Sequence, residues 1–439
     1  MPGRQCYSLS MAARLGIVLL ALACAAPAAD HHSLTPAQRQ LNLDSFDHVW
    51  TTVRDKHWDP QLGGLDWQAA RQELRPQVEA AATMEQVREV LSLMLARLKE
   101  SHFAIIPAQS YEELDGGGEE GQGSPGIDVR MVDGRALVFA VAPQSSAAAR
   151  GVRPGWDIAG VEGKEIGPAA SAIRESMAGS TMVELLQARS VTARLSGRIG
   201  APVRVSFQDG SGRSRDLELD RSRPRGTPAQ LGNLPALYFW VESRRVRPQI
   251  GYIQFNLFFE PETLIGAFRE MVTGCGACRG LVIDLRGNPG GIGGLATGVA
   301  GWFIDQPGKQ LGAMQTRDTR LNFAVFPRSE PFRGPLAILV DACSASTSEI
   351  LAQGMKDLGR ARIFGTRTAG AALPSVFERL PNGDGFQYAI ANYVSAGGKS
   401  LEGAGVIPDE EIALLRRDLL EGRDAALEAA VSWIEQGKN

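Results

Sequence analysis

The chain of 439 residues is long enough for two or three domains. Its 44% apolar and 22% charged residues are typical of a globular protein. Lysine and arginine (46) nearly balance aspartate and glutamate (49), which argues against a nucleic-acid-binding protein. Only five histidines occur, so a reaction that needs an imidazole has few candidate residues.

The first 29 residues have the pattern of a secretory signal peptide. Arg4 and Arg14 precede an apolar run that is too short to span a membrane, and the segment ends in Ala-Pro-Ala28. We expect cleavage after Ala28, with a lipoprotein cleavage before Cys24 as the alternative. Both predict export across the inner membrane to a periplasmic or extracellular location, with membrane contact only if Cys24 carries a lipid.

Residues 30–107 are predicted to form a helical N-terminal subdomain. Apolar residues have helical spacing in 46–53, and a second helix is predicted after Trp67. A third helix is predicted through 87–98, because Thr83 and Gln86 fit a capping box at its start.

Residues 108–225 change to β-strand character after a loop rich in Gly and Glu over 108–124. Short β-like runs at 136–141 and 202–207 flank one predicted helix. The Arg, Ser, Pro and Gly residues of 221–233 predict a linker.

Residues 226–439 alternate apolar strands with helices, which indicates an α/β core. The predicted elements are strands at 250–255, 280–285 and 336–340 and helices near 293–304 and from 346 to 358.

Three serines, Ser344, Ser346 and Ser348, lie where the last of these strands passes into a helix. A hydroxyl at such a turn points outward, and the amides that follow it can stabilise an oxyanion. The alternative is a helix cap, because Ser346 and Glu349 also fit a capping box.

Two further segments carry candidate chemistry. Asp284-Leu-Arg-Gly-Asn-Pro-Gly-Gly291 follows a strand, and its glycines let backbone amides approach a reacting carbonyl; a plain tight turn is the alternative. Glu402 lies in a second turn, where a surface position is the alternative.

Cys275 and Cys278 form a single CxxC motif. Without a second pair or a nearby histidine it is a poor zinc site, and no thioredoxin-like context supports a redox function. The sequence leaves two alternatives for these cysteines, a disulfide between them or two free thiols. We expect neither a metal nor another cofactor.

Taken together, these segments resemble the S41 peptidases, the carboxyl-terminal-processing and tricorn-like serine proteases. Gly126-Ile-Asp128 and the run from Val141 to Ile158 resemble a PDZ domain, while the 284–291 and 344–349 segments resemble the protease core. The resemblance implies a mixed α/β fold with a helical N-terminal part, a β-rich PDZ-like module over 108–225 and an S41/crotonase-like core over 226–439.

The resemblance also implies the catalytic residues. The family's Ser-Ala-Ser-x-Ser-Glu pattern places the nucleophile at Ser346, but Ala371 stands where the carboxyl-terminal-processing branch has its lysine base. The Ser-His-Ser-Glu tetrad of tricorn-like members matches Ser101, His102, Ser346 and Glu402 in order. His102 would accept the Ser346 proton, and Glu402 would orient the imidazole through Ser101.

Two binding sites follow from the same resemblance. The oxyanion hole would combine the Thr347 amide with an amide of Gly290 or Gly291. The amides of Gly126-Ile127-Asp128 would hold the C-terminal carboxylate of a peptide or protein substrate.

Other interpretations remain open at this stage. Lys356 and Lys399 are alternative bases, and the PDZ-like module need not bind any peptide end. The alternative function is a catalytically inactive PDZ-containing scaffold that only binds peptides. An activated serine would distinguish the two functions, because only an enzyme would react with a fluorophosphonate probe at Ser346.

Overall fold

The computed structural model of the chain describes residues 33–108, 122–229 and 237–437. The expected signal peptide, with its candidate cleavage sites at Ala28 and Cys24, lies outside these residues. Among the helices described, none is both long and apolar enough to cross a bilayer.

Three helices form the N-terminal part: α1 (Pro36–Lys56), α2 (Trp67–Ala80) and α3 (Met84–Ala96). Thr83 caps α3 as predicted, but the Gln86 side chain accepts a hydrogen bond from the Ala82 amide at 2.6 Å instead of from Thr83. Their apolar faces pack together and against a three-stranded sheet that the N-terminal part shares with the core. That sheet has the order β1 (Ala104–Ile106), β20 (Gly385–Ala389) and β19 (Ser375–Arg379).

The β-rich module, residues 122–222, is built on an antiparallel sheet. Its main strands, in spatial order, are β3 (Ile127–Val132), β4 (Arg135–Val141), β5 (Asp157–Val161), β8 (Pro202–Gln208) and β9 (Ser214–Asp220). Short strands at its margin are β2 (Gln122–Gly123), β6 (Lys164–Glu165) and β7 (Gly197–Arg198).

The prediction of a single helix in this module is wrong, because three are present. They are α4 (Ser146–Ala149), α5 (Ile166–Ser176) and α6 (Val183–Leu195). Gln187 is buried and interrupts the apolar pattern of α6. Its side-chain amide donates to the Ala170 carbonyl of α5 at 2.6 Å, which compensates for the loss of water. A helix whose buried face includes polar residues lacks the periodicity on which prediction depends.

The core contains a six-stranded sheet that is parallel except for its first edge strand. The strands, in spatial order, are β12 (Val241–Arg247), β13 (Ile250–Phe255), β14 (Gly280–Asp284), β17 (Leu336–Val340), β18 (Arg362–Gly365) and β22 (Glu410–Glu411). The helices of the core are α7 (Pro261–Gly274), α8 (Gly293–Ala300), α9 (Thr347–Asp357), α10 (Arg416–Glu421) and α11 (Ala425–Glu435). The mixed α/β fold is confirmed.

The helix expected near 293–304 ends earlier, at Ala300. The chain turns at Gly301, where a side chain would lie 2.4 Å from the Phe326 carbonyl oxygen. The expected linker over 221–233 also contains a strand, β10 (Thr227–Ala229), which pairs with β11 (Leu237–Phe239). The remaining sheet has the order β16 (Arg320–Ala324), β15 (Gln310–Gln315) and β21 (Asn392–Ser395).

The Cys275–Cys278 pair is joined by a disulfide, which decides between the two alternatives for this motif.

Two features of this architecture position the site. Strands β14 and β17 are parallel neighbours, so the segments that follow them emerge at the same sheet edge. The module packs directly on that edge, because Cys343, Ala345, Ala369 and Ala371 of the core belong to the same apolar cluster as the module's interior.

Candidate active site

Ser346 lies at the turn between β17 and α9 and has the backbone angles φ 55° and ψ −119°. Positive φ is uncommon for a residue with a side chain and often marks a functional turn. Two acceptors hold the Ser346 amide in this conformation: the Ala371 carbonyl oxygen at 2.8 Å and Glu349 Oε2 at 3.0 Å. The turn therefore fixes the serine at the first residue before a helix.

The neighbouring serines have other partners. The Ser344 hydroxyl donates to the Leu285 carbonyl at 2.7 Å, and the Ser348 hydroxyl donates to the Asn288 carbonyl at 3.0 Å. Both side chains are buried and join this turn to the glycine-rich turn after β14. Of the three serines, Ser346 is the one that lines the apolar cleft beside this turn.

A chain of hydrogen bonds connects Glu402 to His102. Glu402 accepts from the Ser101 amide at 2.7 Å, from the Ser101 hydroxyl at 2.8 Å and from the Ala372 amide at 3.0 Å. The Ser101 hydroxyl lies 2.7 Å from His102 Nδ1. Since its single proton goes to Glu402, the hydroxyl must accept from Nδ1–H, which leaves Nε2 unprotonated in a neutral imidazole.

The electrostatics of this chain depend on burial. Desolvation, followed by the nearby charge of Arg189, lowers the pKa of His102 to about 3. Desolvation raises the pKa of Glu402 to about 7 although three hydrogen bonds oppose it. Burial likewise raises the pKa of Glu349 to about 7. The imidazole is therefore neutral at pH 7, as a general base must be.

His102 and Ser346 line a common cleft with a volume of about 350 Å³. The expected oxyanion residues Thr347, Gly290 and Gly291 line it as well. Apolar side chains form most of the remaining wall, among them Leu257, Phe259, Ile292, Phe323, Leu373 and Phe377. The structure thus brings together the serine, the imidazole and backbone amides from two different turns.

The two glycines differ in what their amides do. Gly290 N–H donates to Asn288 Oδ1 at 2.9 Å, so it already has an acceptor. Within the described chain, neither the Gly291 amide nor the Thr347 amide has a hydrogen-bond acceptor. A side chain at Gly290 would lie 2.7 Å from Ser346 Cβ and 2.8 Å from the Thr347 amide nitrogen. Gly290 therefore keeps open the space in front of Ser346 and the Thr347 amide.

The alternative bases lie elsewhere. Lys356 Nζ donates to the Ile407 carbonyl and pairs with Asp409 at 2.8 Å, Lys399 is exposed, and neither lines the cleft. Ala371, at the position of the family's lysine, is fully buried in the apolar cluster beneath the module.

The expected peptide-binding loop is not part of this cleft. Gly126 N–H donates to Ser124 Oγ at 3.0 Å, and the Asp128 carboxylate accepts from Arg130 Nη1 at 2.6 Å. Gly126 precedes β3 of the module, Ile127 and Asp128 begin it, and all three are absent from the lining of the described cleft.

Two residues of the site were not predicted from the sequence. Glu349 was interpreted only as a cap, but its carboxylate also accepts from Thr368 Oγ1 and from the Gly370 and Ala371 amides. Arg189 of α6 lines the cleft although it is far from every motif in sequence. The spacing of Ser346 and Glu349 was a signal for the first; no local pattern identifies the second.

The chain is similar in sequence to known peptidases. Residues 249–412 match the family model described as Peptidase family S41, and residues 42–96 match that of the Tricorn protease C1 domain. The chloroplastic carboxyl-terminal-processing peptidase 2 of Arabidopsis thaliana is 27% identical over 386 residues, covering 84% of this chain and 68% of the relative. Tricorn protease homolog 1 of Streptomyces coelicolor is 25% identical over 416 residues, covering 88% of this chain but 34% of the relative.

A similar fold occurs among solved structures. The photosystem II D1 C-terminal processing protease has a TM-score of 0.57 and 22% sequence identity, and the match covers 90% of this chain and 99% of that chain. The present chain spans about two thirds of the length of the Arabidopsis peptidase and about a third of that of the tricorn homologue.

Proposed function

We propose that the chain, whose residues 249–412 match the model of peptidase family S41, is a serine peptidase that hydrolyses peptide bonds through an acyl-enzyme on Ser346. The observation that carries the proposal is the hydrogen-bond chain from Glu402 through Ser101 to His102, which ends in the cleft that Ser346 lines. Ala371 supports a histidine base, because it removes the alternative of a lysine at that position.

In the proposed reaction, His102 Nε2 takes the Ser346 proton as the hydroxyl oxygen attacks the substrate carbonyl. The imidazolium that forms is stabilised by the negative charge of Glu402, transmitted through Ser101. The Thr347 and Gly291 amides donate to the oxyanion. His102 then gives its proton to the leaving amine, and water hydrolyses the acyl-enzyme by the same steps in reverse.

The proposal extends to substrate and location. The substrates are peptides or unfolded proteins, presented by their carboxyl ends, which is supported by the names of the processing peptidases that the chain resembles. The β-rich module is proposed to be a PDZ domain. The expected signal peptide supports an extracytoplasmic enzyme.

A fluorophosphonate probe tests the proposed nucleophile. We expect wild-type protein to be labelled at Ser346 and Ser346→Ala to remain unlabelled. His102→Ala should slow labelling and peptide cleavage by about 10⁴-fold or more, because the hydroxyl loses its base. His48→Ala is the matched control, because His48 contacts Glu378 on the surface and should leave both rates unchanged.

Two outcomes would contradict the proposal. Wild-type rates in His102→Ala would show that another group takes the Ser346 proton. Absence of labelling in folded wild-type protein would favour the inactive peptide-binding scaffold.

A further inference from the structure

Arg189 is the one permanently charged side chain among the residues that line the cleft. It projects from α6 of the module, whereas His102 and Ser346 belong to the rest of the chain. Most of the wall around it is apolar, and no carboxylate lines the cleft. A guanidinium in such surroundings is costly unless an anion pairs with it.

Two other arginines whose side chains are buried have such anions. Arg130 bonds to Asp128 and Asp341, and Arg286 bonds to Asp284 and Asp424. The Arg189 guanidinium has neither a hydrogen bond nor an ion pair with any residue in the part of the chain described, although the residue is only partly accessible to solvent. Burial lowers the pKa of its guanidinium, whereas the net pKa of each of the two paired arginines is raised.

We propose that Arg189 binds the terminal carboxylate of the peptide whose bond Ser346 cleaves. This inference rests on the proposed peptidase function and specifies its substrate. The planar guanidinium can bind a carboxylate through two parallel hydrogen bonds. An uncharged peptide end would leave the arginine without an anion, so the cleft should discriminate between a free acid and an amide.

The position of the carboxylate determines the product. A peptide carboxylate always lies on the leaving-group side of the cleaved bond. An extended chain advances roughly 3.3–3.6 Å per residue, so an anchor and a nucleophile in one cleft are separated by only a few residues. The enzyme should therefore release short carboxyl-terminal fragments.

A carboxylate bound to Arg189 would also make His102 a stronger base. The charge of Arg189 adds to desolvation in lowering the pKa of His102. A bound carboxylate offsets that charge and makes protonation of the imidazole less unfavourable. Peptides with a free carboxylate should consequently gain in kcat as well as in binding.

Binding to catalytically inactive protein tests the anchor independently of turnover. The probe is N-acetyl-Ala-Ala-Leu-Ala-Ala-Leu, as the free acid and as the C-terminal amide, titrated calorimetrically into Ser346→Ala protein. We expect the acid to bind at least about tenfold more tightly than the amide, as a charge-assisted pair requires. Adding Arg189→Gln should abolish this difference, and Arg189→Lys should retain part of it.

Arg194→Gln is the matched control, because Arg194 lies on the same helix but contacts the Glu165 carbonyl outside the cleft. It should leave the acid-to-amide ratio unchanged. Equal binding of acid and amide to Ser346→Ala protein would overturn the inference. So would an acid preference that survives Arg189→Gln, because the carboxylate would then be held elsewhere, for example at Gly126–Asp128.

Cleavage by the otherwise wild-type enzyme distinguishes failure of this inference from failure of the proposed function. If the acid binds through Arg189 but neither peptide is cleaved, the peptidase proposal fails and the anchor stands. If both peptides are cleaved equally and bind equally, the peptidase proposal stands and the anchor fails.

Discussion

Glu402 is distant from His102 in sequence but helps to fix the position of its imidazole. Its carboxylate accepts hydrogen bonds from both the amide and the hydroxyl of Ser101, and that hydroxyl contacts the imidazole. His102 itself has φ 62°, a conformation that needs such support from its neighbours. The intervening hydroxyl lets a buried carboxylate act on the imidazole without touching it.

This arrangement predicts a rise in kcat/KM as the pH increases through about 7. The pKa of Glu402 is raised from 4.5 to about 7, so below this pH the carboxyl is protonated and cannot stabilise an imidazolium. The pKa of His102 is lowered to about 3, so the histidine is neutral on both sides of the transition. The ionisation of the carboxyl group, and not of the histidine, should therefore set the acidic limb.

Glu402→Gln tests this assignment. It should reduce the plateau of kcat/KM and make the rise shallower, while Glu349, whose pKa is also raised to about 7, continues to titrate. Glu242→Gln serves as the control, because Glu242 pairs with Arg225 on the surface. A Glu402→Gln enzyme with the wild-type plateau and profile would contradict the role of this carboxyl group.

The turn between β14 and α8 determines how closely backbone amides approach Ser346. Gly290 has φ 100°, and Gly291 has φ 138°. Both values favour glycine, because a side chain would be strained in this region. The next strand, β17, contributes Ser346 from the other side, so the site is formed by two consecutive turns at one sheet edge.

Gly290→Ala should lower activity by about 10²–10³-fold, because the methyl group would occupy the space in front of Ser346 and the Thr347 amide. Strain at φ 100° should also lower the melting temperature. Gly294→Ala is the matched control: it adds a methyl group within α8, where no atom lies within 4 Å, and should stabilise the helix by about 0.5–1 kcal/mol.

The measurement is the rate of fluorophosphonate labelling, taken at a temperature at which both variants are folded by circular dichroism. Wild-type labelling in Gly290→Ala would mean that this space is not used by the reacting group.

Local sequence patterns identified the elements that are simple and apolar. The central strands β13, β14 and β17 were predictable because nearly all of their residues are buried, and such strands read as continuous apolar runs. Helices α5 and α6 were not both predicted, because polar contacts such as that of Gln187 interrupt their apolar faces.

The candidate site was predictable from sequence only where a residue belongs to a motif. Ser346 and the glycines of 290–291 lie in such motifs, and the resemblance to a known family added His102 and Glu402. Arg189 has no motif around it, because its place in the cleft is created by the packing of the module on the core. Contacts between segments distant in sequence leave no local pattern.

The module and the core form a continuous structure around the nucleophile turn. Their shared apolar cluster is accompanied by an ion pair between Arg130 of β3 and Asp341, which follows β17. Asp341 Oδ1 also accepts from the Gly287 and Cys343 amides, at 2.9 Å each. One carboxylate therefore connects the module to both turns of the site.

The ion pair between Arg130 and Asp341 should be sensitive to substitution because both charges are buried. Burial raises the pKa of Asp341, but the guanidinium of Arg130 outweighs burial, and the net pKa lies below its ordinary value. Arg130 is itself 5% exposed. Removing the cation would leave a buried carboxylate without its counter-ion, which is far more costly than losing a surface pair.

Arg130→Met should therefore lower the free energy of unfolding by about 3–5 kcal/mol. Arg204→Met is the control, because it removes an exposed pair with Glu162 in the same module. It should change the free energy of unfolding by less than about 1 kcal/mol. Methionine retains most of the apolar stem, so the difference reports the charge. Chemical denaturation gives the free energies, and labelling of Ser346 in folded protein gives the activity. We expect Arg130→Met to label more slowly, because Asp341 holds both turns of the site. If Arg130→Met were as stable as Arg204→Met, the module would be held on the core by apolar packing alone.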